Sequence, residues 1–396
     1  MNVHYLDNSA TTPLCDAARK KMISVMENIY GNPSSLHTLG VEAETVVAQA
    51  RLNILAALCP PKSGIRTKPE NLIFTASGTE ANNLALIGAA TAKQRNRGKR
   101  IIIGETEHPS VTETARHLET LGYQVVRIPS PRGVWDMDSY RNALSPDTIL
   151  VSAMLVNNET GAVNNISEIA RAAKAANPDV IIHCDAVQGF LKTEICPAAS
   201  ADMVTLSAHK IGGPKGVGAL YVNEKILKTR ALSPVIFGGG QERGFRSGTE
   251  NVIGIAGFGA AASYALETLS MFLCRAATLR RTLEAGIALF SSFGVRINHP
   301  ETDQAAAHIV SLTVPGIRSE TLLHSLSEAN VFVSSGSACS SHTGHASYVL
   351  HSFGLSDADA DCTIRISFGI QNTEEDIAAF CTALKESLKK LVRIKS

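Results

Sequence analysis

The chain has 396 residues, a formal net charge of +1 and 44% hydrophobic residues, which places it among globular proteins with at least one large core; at roughly 100–200 residues per domain, two domains are expected. So even a charge balance excludes a phosphate backbone or an anionic membrane surface as the main partner, because either selects a strongly basic face. The opening MNVHYLDNSATTP has no basic stretch followed by an apolar one, and no apolar run approaches the ~20 residues that cross a bilayer, so the expected location is the cytoplasm, with neither membrane nor direct nucleic-acid contact.

In chain order, short apolar runs read as buried strands: LIFT (72–75), RIIIG (100–104), YQVVRI (123–128), TILVSAML (148–155), DVIIHCD (179–185), DMVTLS (202–207) and GALYV (218–222). Longer amphipathic stretches alternate with them, which predicts an α/β fold with a mostly parallel seven-stranded sheet covered by helices on both faces. Beyond residue 257 the pattern changes to a long helical stretch and then HIVSLTV, VFV and TIRISF between loops. That is the signature of a smaller α+β domain. The predicted division is 16–257 for the large, cofactor-binding domain, with 1–15 and 258–396 forming the small one. The two basic clusters, KQRNRGKR (93–100) and the C-terminal tail, read as solvated helix ends, where cations favour the negative end of the helix dipole.

Eight cysteines are scattered without a CxxC pair or a zinc-like Cys/His spacing, so most read as reduced core thiols and no metal site is predicted. Cys339 stands apart. Its segment, SSGSACSSHTGHASY, is rich in glycine and serine and nearly free of large apolar groups before Tyr348, so it cannot bury itself and reads as a mobile loop over about 334–347. His342, His345 and His351 around it read as solvent-facing.

The candidate chemistry gathers at strand ends. DMVTLSAHKIGGPKGVGALYV places Ser207, His209 and Lys210 between a strand and a glycine-rich turn; it lacks the GxxxxGK[ST] spacing of a P-loop, and a strand follows it, which disfavours nucleotide binding. Upstream, HCDAVQG ends an apolar strand in Asp185, with Gln188 after it, at the carboxyl end of a buried strand where such sheets bind ligands. Pyridoxal phosphate needs a lysine for a Schiff base and an anion beside its pyridine nitrogen. Lys210 and Asp185 supply both. LIFTASGTEANN reads as a strand, a small-residue turn and a helix starting near Gly78 and Thr79, whose free N–H groups suit a phosphate, while Ser77 and Glu80 read as a capping box. His108, in ETEHPS, falls at the end of another strand, where an imidazole can stack on the cofactor ring and exchange protons with substrate.

These pieces, with DNSATTP (7–13), GNPSSLH (31–37), NNETG (157–161), RSGTEN (246–251), SSGSACSS (334–341) and IRISFG (364–369), resemble the cysteine desulfurases, within the class V aminotransferase group of fold-type I pyridoxal-phosphate enzymes. The resemblance spans nearly the whole chain in family order. It implies that Lys210 holds the cofactor, Asp185 pairs the pyridine nitrogen, Gln188 contacts the phenolic oxygen and His108 stacks on the ring. It further implies that Gly78, Thr79, Ser207 and His209 bind phosphate, that Thr249 reaches the phosphate of a partner subunit in a homodimer, and that Asn32, Asn158 and Arg365 hold the substrate. Arg365 suits this physically, since its planar fork binds a carboxylate in bidentate fashion.

The implied reaction converts L-cysteine to L-alanine, with the sulfur held as a persulfide on Cys339 and passed to an acceptor protein for iron–sulfur cluster assembly or another sulfur transfer. Cys362, just before TIRISF, reads as fixed at the domain edge. A selenocysteine lyase or cysteine sulfinate desulfinase would share most of these residues, an ordinary aminotransferase would have no need of Cys339, and an inactive sulfur-transfer scaffold would require lost catalytic residues.

Overall fold

The computed structural model describes residues 2–92, 98–300, 305–335 and 347–392; most of KQRNRGKR, the end of the tail, and Cys339 with His342 and His345 fall outside them. The chain opens with β1 (His4–Tyr5), α1 (Asp16–Asn28) and α2 (Thr38–Leu58). The central part then alternates: β2 (Leu72–Thr75), α3 (Gly78–Thr91), β3 (Arg100–Gly104), α4 (Pro109–Thr120), β4 (Gln124–Ile128), α5 (Met137–Ala143), β5 (Thr148–Met154), α6 (Ile166–Ala176), β6 (Ile181–Asp185), β7 (Met203–Ser207), β8 (Gly218–Val222), α7 (Glu224–Thr229) and α8 (Val252–Glu267). The remainder is α9 (Leu269–Ala288), β9 (Arg296–Ile297), β10 (Ile309–Thr313), α10 (Ser319–Glu328), β11 (Val331–Phe332), β12 (Ser334–Ser335), α11 (Tyr348–Phe353), α12 (Asp357–Asp361), β13 (Thr363–Ser367) and α13 (Glu374–Val392).

Strands β2 to β8 form one seven-stranded sheet in the order β2-β8-β7-β6-β5-β3-β4. All pairings are parallel except the two made by β8. The exception has a local cause: the β7–β8 connection is too short for a helical crossover, and a short link can only return the chain antiparallel. The apolar runs are continuous because both faces of the sheet are covered. In β3, Ile102 belongs to one core while Ile101 and Ile103 belong to another on the opposite face, as a period-two side-chain alternation requires. Each such burial contributes about 1.5–3 kcal/mol.

A four-stranded antiparallel sheet, β12-β13-β10-β9, lies against α9, α10 and α13 around a separate core that includes Leu279, Leu312, Ile366 and Phe380. Helix α8 runs through residue 257 and gives Phe258, Ala261 and Ala262 to the core of the large sheet. The N-terminal segment ties the two parts together: β1 pairs in parallel with β11, Leu6 is buried in the smaller core and Asp7 bridges to Ser367, while the Thr12 N–H donates to His209 O at 2.9 Å in the large part. No single helix among the described residues is long and apolar enough to cross a membrane.

Candidate active site

The large sheet delivers its polar residues at the carboxyl ends of its strands. Strand β6 ends in Asp185, whose side chain is buried to 5% exposure. Its Oδ1 accepts the Val187 N–H at 3.0 Å and its Oδ2 accepts Asn82 Nδ2 at 2.8 Å. The same Asn82 Nδ2 donates to Ser110 Oγ at 2.8 Å, and Ser110 Oγ lies 2.8 Å from His108 Nδ1. Since His108 Nδ1 also accepts the Ser110 backbone N–H at 3.1 Å, the ring proton is assigned to Nε2. Burial pushes the His108 pKa down, Asp185 opposes this and Lys210 reinforces it, so the ring is neutral at neutral pH. His108 is at once the N-cap of α4, with Pro109 at the first helical position, a place where proline's missing N–H and fixed φ cost nothing.

Strand β7 ends in Ser207, and a single 3₁₀ turn presents His209 and Lys210. Lys210 Nζ donates to the carbonyls of Ser9 at 2.6 Å and Ala10 at 2.8 Å. His209 Nδ1 is 3.1 Å from Thr11 Oγ1, and its pKa is lowered to about 4 by burial first and by Lys210, Lys192 and Lys215 next. Gln188 is buried; its Nε2 donates to Ser9 O at 2.8 Å and its Oε1 accepts Lys192 Nζ at 3.0 Å.

Helix α3 begins at Gly78 with Ser77 as N-cap, its Oγ accepting from Glu80 N at 3.1 Å. Glu80 returns a bond to Ala76 N at 3.0 Å and pairs with Arg246, so the capping box is shifted by one residue and braced from outside. A Cβ at position 78 would lie 3.0 Å from Val187 Cγ2 and 3.4 Å from the Cβ of Ser207. Glycine there keeps open the space between the helix start, Thr79 and the end of β7.

From the smaller sheet, Arg365 on β13 reaches across to the same region. It is buried; Nη2 pairs with Asp7 Oδ1 at 2.7 Å, Nη1 donates to the carbonyl of Asn158 at 3.1 Å, and Nε has no partner among the described residues. Asn158 is presented by a turn that Asn157 builds, accepting the N–H groups of Glu159 and Thr160 at 2.9 and 3.0 Å. This is an Asx-type turn. Glu159 is buried beside Arg365, accepts Ser347 Oγ at 2.6 Å, and has its pKa raised by burial to about 7, against the lowering effects of Ser347 and Arg365.

The structure therefore gathers Lys210, Asp185, Gln188, His108, Ser207, His209, Gly78, Thr79, Asn158 and Arg365 around the strand ends and the N-terminal segment. Asn32 and Thr249 are exposed: Asn32 Oδ1 accepts Ser34 N at 2.9 Å, and Thr249 lines a shallow cleft with Thr75 and Ala76. Cys339 lies outside the described residues, whereas Cys362 is buried at the end of α12. His351 pairs with Asp357 at 3.3 Å. Asn82, Ser110, Asp7, Ser9 and Lys192 belong to the site without having been singled out by sequence. For Asn82 the signal was present, one helical turn after Gly78 in SGTEANN.

These residues fit pyridoxal phosphate. A lysine amine lies near a buried carboxylate, neutral imidazoles flank the site, a helix start is held open by glycine, and a buried arginine N–H is left over for a carboxylate.

The model of the aminotransferase class V family matches residues 4–380. A protein of Methylobacillus flagellatus described as cysteine desulfurase IscS is 37% identical over 98% of this chain and 92% of its own length. A NifS/IcsS protein homologue of Lactobacillus delbrueckii is 36% identical over 98% of both chains. Among solved structures, a NifS-like protein shares 34% identity at a TM-score of 0.88, covering 99% of this chain and 100% of its own. A NifS-like protein from Rickettsia africae shares 31% at 0.84, covering 97% and 99%.

Proposed function

The chain belongs to the class V aminotransferase family, among the pyridoxal-phosphate-dependent cysteine desulfurases, and from that premise we propose that it takes the sulfur of free L-cysteine as a persulfide on Cys339 and releases L-alanine. The observation that carries the reading is the grouping of Lys210 and Asp185 at neighbouring strand ends with a buried Arg365 whose Nε is unpaired. In this reading Lys210 holds the cofactor, Asp185 faces its ring nitrogen, Gln188 its phenolic oxygen, and Gly78, Thr79, Ser207 and His209 its phosphate. Thr249 completes the phosphate site of a partner subunit.

Bound pyridoxal phosphate supplies an electron sink for the substrate's α-carbon. The protein's residues do the rest. Arg365 takes the substrate carboxylate through its free Nε edge, with Asn32 and Asn158 beside it, and Asp7 keeps the guanidinium plane fixed. Lys210, once released, accepts the α-proton, and the neutral His108 carries a proton at Nε2. Cys339 as thiolate attacks the substrate sulfur; an S–S bond forms, the carbon–sulfur bond breaks, and a proton completes the methyl group of alanine. Cysteine and one thiol thus become alanine and one persulfide, with no external oxidant or reductant. A sulfur-acceptor protein, serving iron–sulfur cluster assembly or another sulfur transfer, then takes the outer sulfur.

Exposed apolar side chains give a homodimer something to cover: Leu36 is 99% exposed, and Tyr30 and Phe237 are each 80% exposed. The test of the function is to incubate purified protein with cysteine and a reductant and measure alanine and sulfide together. Equal amounts of both, from a yellow protein, are expected. A colourless protein that pyridoxal phosphate cannot reconstitute overturns the reading.

A further inference from the structure

The chain buries a second lysine beside the first. Lys192 is 6% exposed, and its ammonium makes no ion pair among the described residues; its one described hydrogen bond is to Gln188 Oε1 at 3.0 Å. Burying a charge without a counter-charge is costly, so the position calls for a reason. Two features show that the backbone is arranged to put it there. Leu191, immediately before it, holds a left-handed φ of 55°, a conformation that costs a non-glycine residue of order 1–3 kcal/mol and persists where the surroundings impose it. Gly189 sits against Leu155, where a Cβ would come within 2.4 Å of Leu155 Cδ2. The tight turn 189–192 directs the Lys192 side chain inward, and Lys192 and Lys210 both line one cavity of about 380 Å3.

From Lys192 a continuous chain of hydrogen bonds runs to the cofactor lysine. Lys192 Nζ donates to Gln188 Oε1, Gln188 Nε2 donates to Ser9 O at 2.8 Å, and Ser9 O also accepts Lys210 Nζ at 2.6 Å. An ammonium on the amide oxygen fixes which end of Gln188 is the donor. The second amide hydrogen has no partner among the described residues.

Resting on the function proposed above, we propose that Lys192 is a positioning residue for the cofactor: it locks Gln188 with its amide nitrogen towards the phenolic oxygen, and its positive charge lowers the proton affinity of the cofactor's linkage to Lys210. The charged and titratable groups around it are Lys210, Arg365, His209 and the buried His308. Lys210 and Arg365 are cationic, and burial holds His209 and His308 neutral. The Lys192 pKa, lowered to about 7 by burial first and then by those two cations, is what an uncompensated buried amine shows; the anionic phenolic oxygen of a bound cofactor supplies the counter-charge that the protein omits.

The test is a spectrophotometric pH titration of the cofactor band in the purified holoenzyme, for wild type, Lys192→Met, Lys192→Gln and Lys192→Arg. Loss of a unit charge within one cavity shifts a neighbouring pKa by about one unit. The protonated, yellow form is therefore expected to persist about one pH unit higher in Lys192→Met and Lys192→Gln, and Lys192→Arg to stay close to wild type. Lys192→Gln keeps a donor for Gln188, so it separates charge from orientation: it should retain the cofactor better than Lys192→Met while showing the same shift. Should Lys192→Met not fold, Lys192→Gln is judged by the same shift. An unshifted titration in a folded, yellow neutral variant overturns the proposal for Lys192 alone, whereas a colourless wild type overturns the function on which it rests.

Discussion

Asn82 Nδ2 stands 2.8 Å from both Asp185 Oδ2 and Ser110 Oγ, so one amide from α3 holds the carboxylate on β6 and, through Ser110, the imidazole of His108. The two groups proposed to lie on the cofactor ring are set by a single side chain. Asn82→Ala leaves Asp185 with one described partner, and a buried acceptor deprived of its donor costs about 1–3 kcal/mol. Cofactor retention is expected to weaken roughly tenfold or more, measured as the dissociation constant for pyridoxal phosphate. Unchanged affinity would remove Asn82 from the site.

Cys339→Ala should still bind the cofactor and change its spectrum on addition of cysteine, because those steps need Lys210, Asp185 and Arg365 only. It should form almost no alanine or sulfide. Cys362→Ala should keep most of its activity, since Cys362 is buried at a helix end and a reactive cysteine must be accessible. Mass spectrometry after brief exposure to cysteine without reductant should place the extra sulfur on the Cys339 peptide; finding it on Cys362 would reverse the assignment.

Glu159 supplies a pH signature. Its folded pKa of about 7 lies above the ordinary 4.5, so the folded state holds a proton that the unfolded chain releases. The associated stability is full below about pH 4.5 and is lost as pH rises through about 7. Glu159→Gln cannot lose a proton there. Relative to wild type it should gain stability between pH 5 and pH 8, by on the order of 3 kcal/mol at most, read as the difference in denaturation midpoints. A stability difference that stays flat between pH 5 and pH 8 would show that Glu159 is ionised throughout.

The dimer proposal predicts that Leu36→Glu together with Phe237→Glu yields monomers in sedimentation, and that those monomers lose cofactor because Thr249 no longer completes the partner's site. Thr249→Ala alone should weaken retention without dissociating the dimer. Monomers with full cofactor affinity would contradict this.

How far the sequence reveals the molecule depends on whether the cause is local. Six of the seven strands of the large sheet are legible because they are buried on both faces and so read as unbroken apolar runs, LIFT, RIIIG and GALYV coinciding with β2, β3 and β8, whereas the edge strand β4, QVVRI, is mostly half-buried or exposed and shows only its β-branched pair. Of the two-residue strands, β11 shows in the run VFV, but β1, β9 and β12 are too short for any periodicity. Lys210 and Asp185 are legible because the end of an apolar strand is itself a position in space. Asn82, Ser9 and Lys192 are not, because their significance lies in bonds between segments far apart in sequence, such as Ser9 with Lys210, 201 positions away. A lysine in GFLKTE looks like a surface residue until the left-handed Leu191 turns it inward.

The N-terminal segment also dictates an order of assembly. Its first dozen residues give Lys210 its carbonyl partners and Arg365 its carboxylate, and they pair with β11 and bridge to Ser367; the Asp7–Arg365 contact joins positions 358 apart. Closing so long a loop is entropically unfavourable until most of the chain is already folded. On the ribosome, the residues made first must wait for nearly the last ones made. A nascent chain that has already emerged past Lys210 therefore has the proposed cofactor lysine without the N-terminal partners that hold it, and becomes competent only when β13 is out.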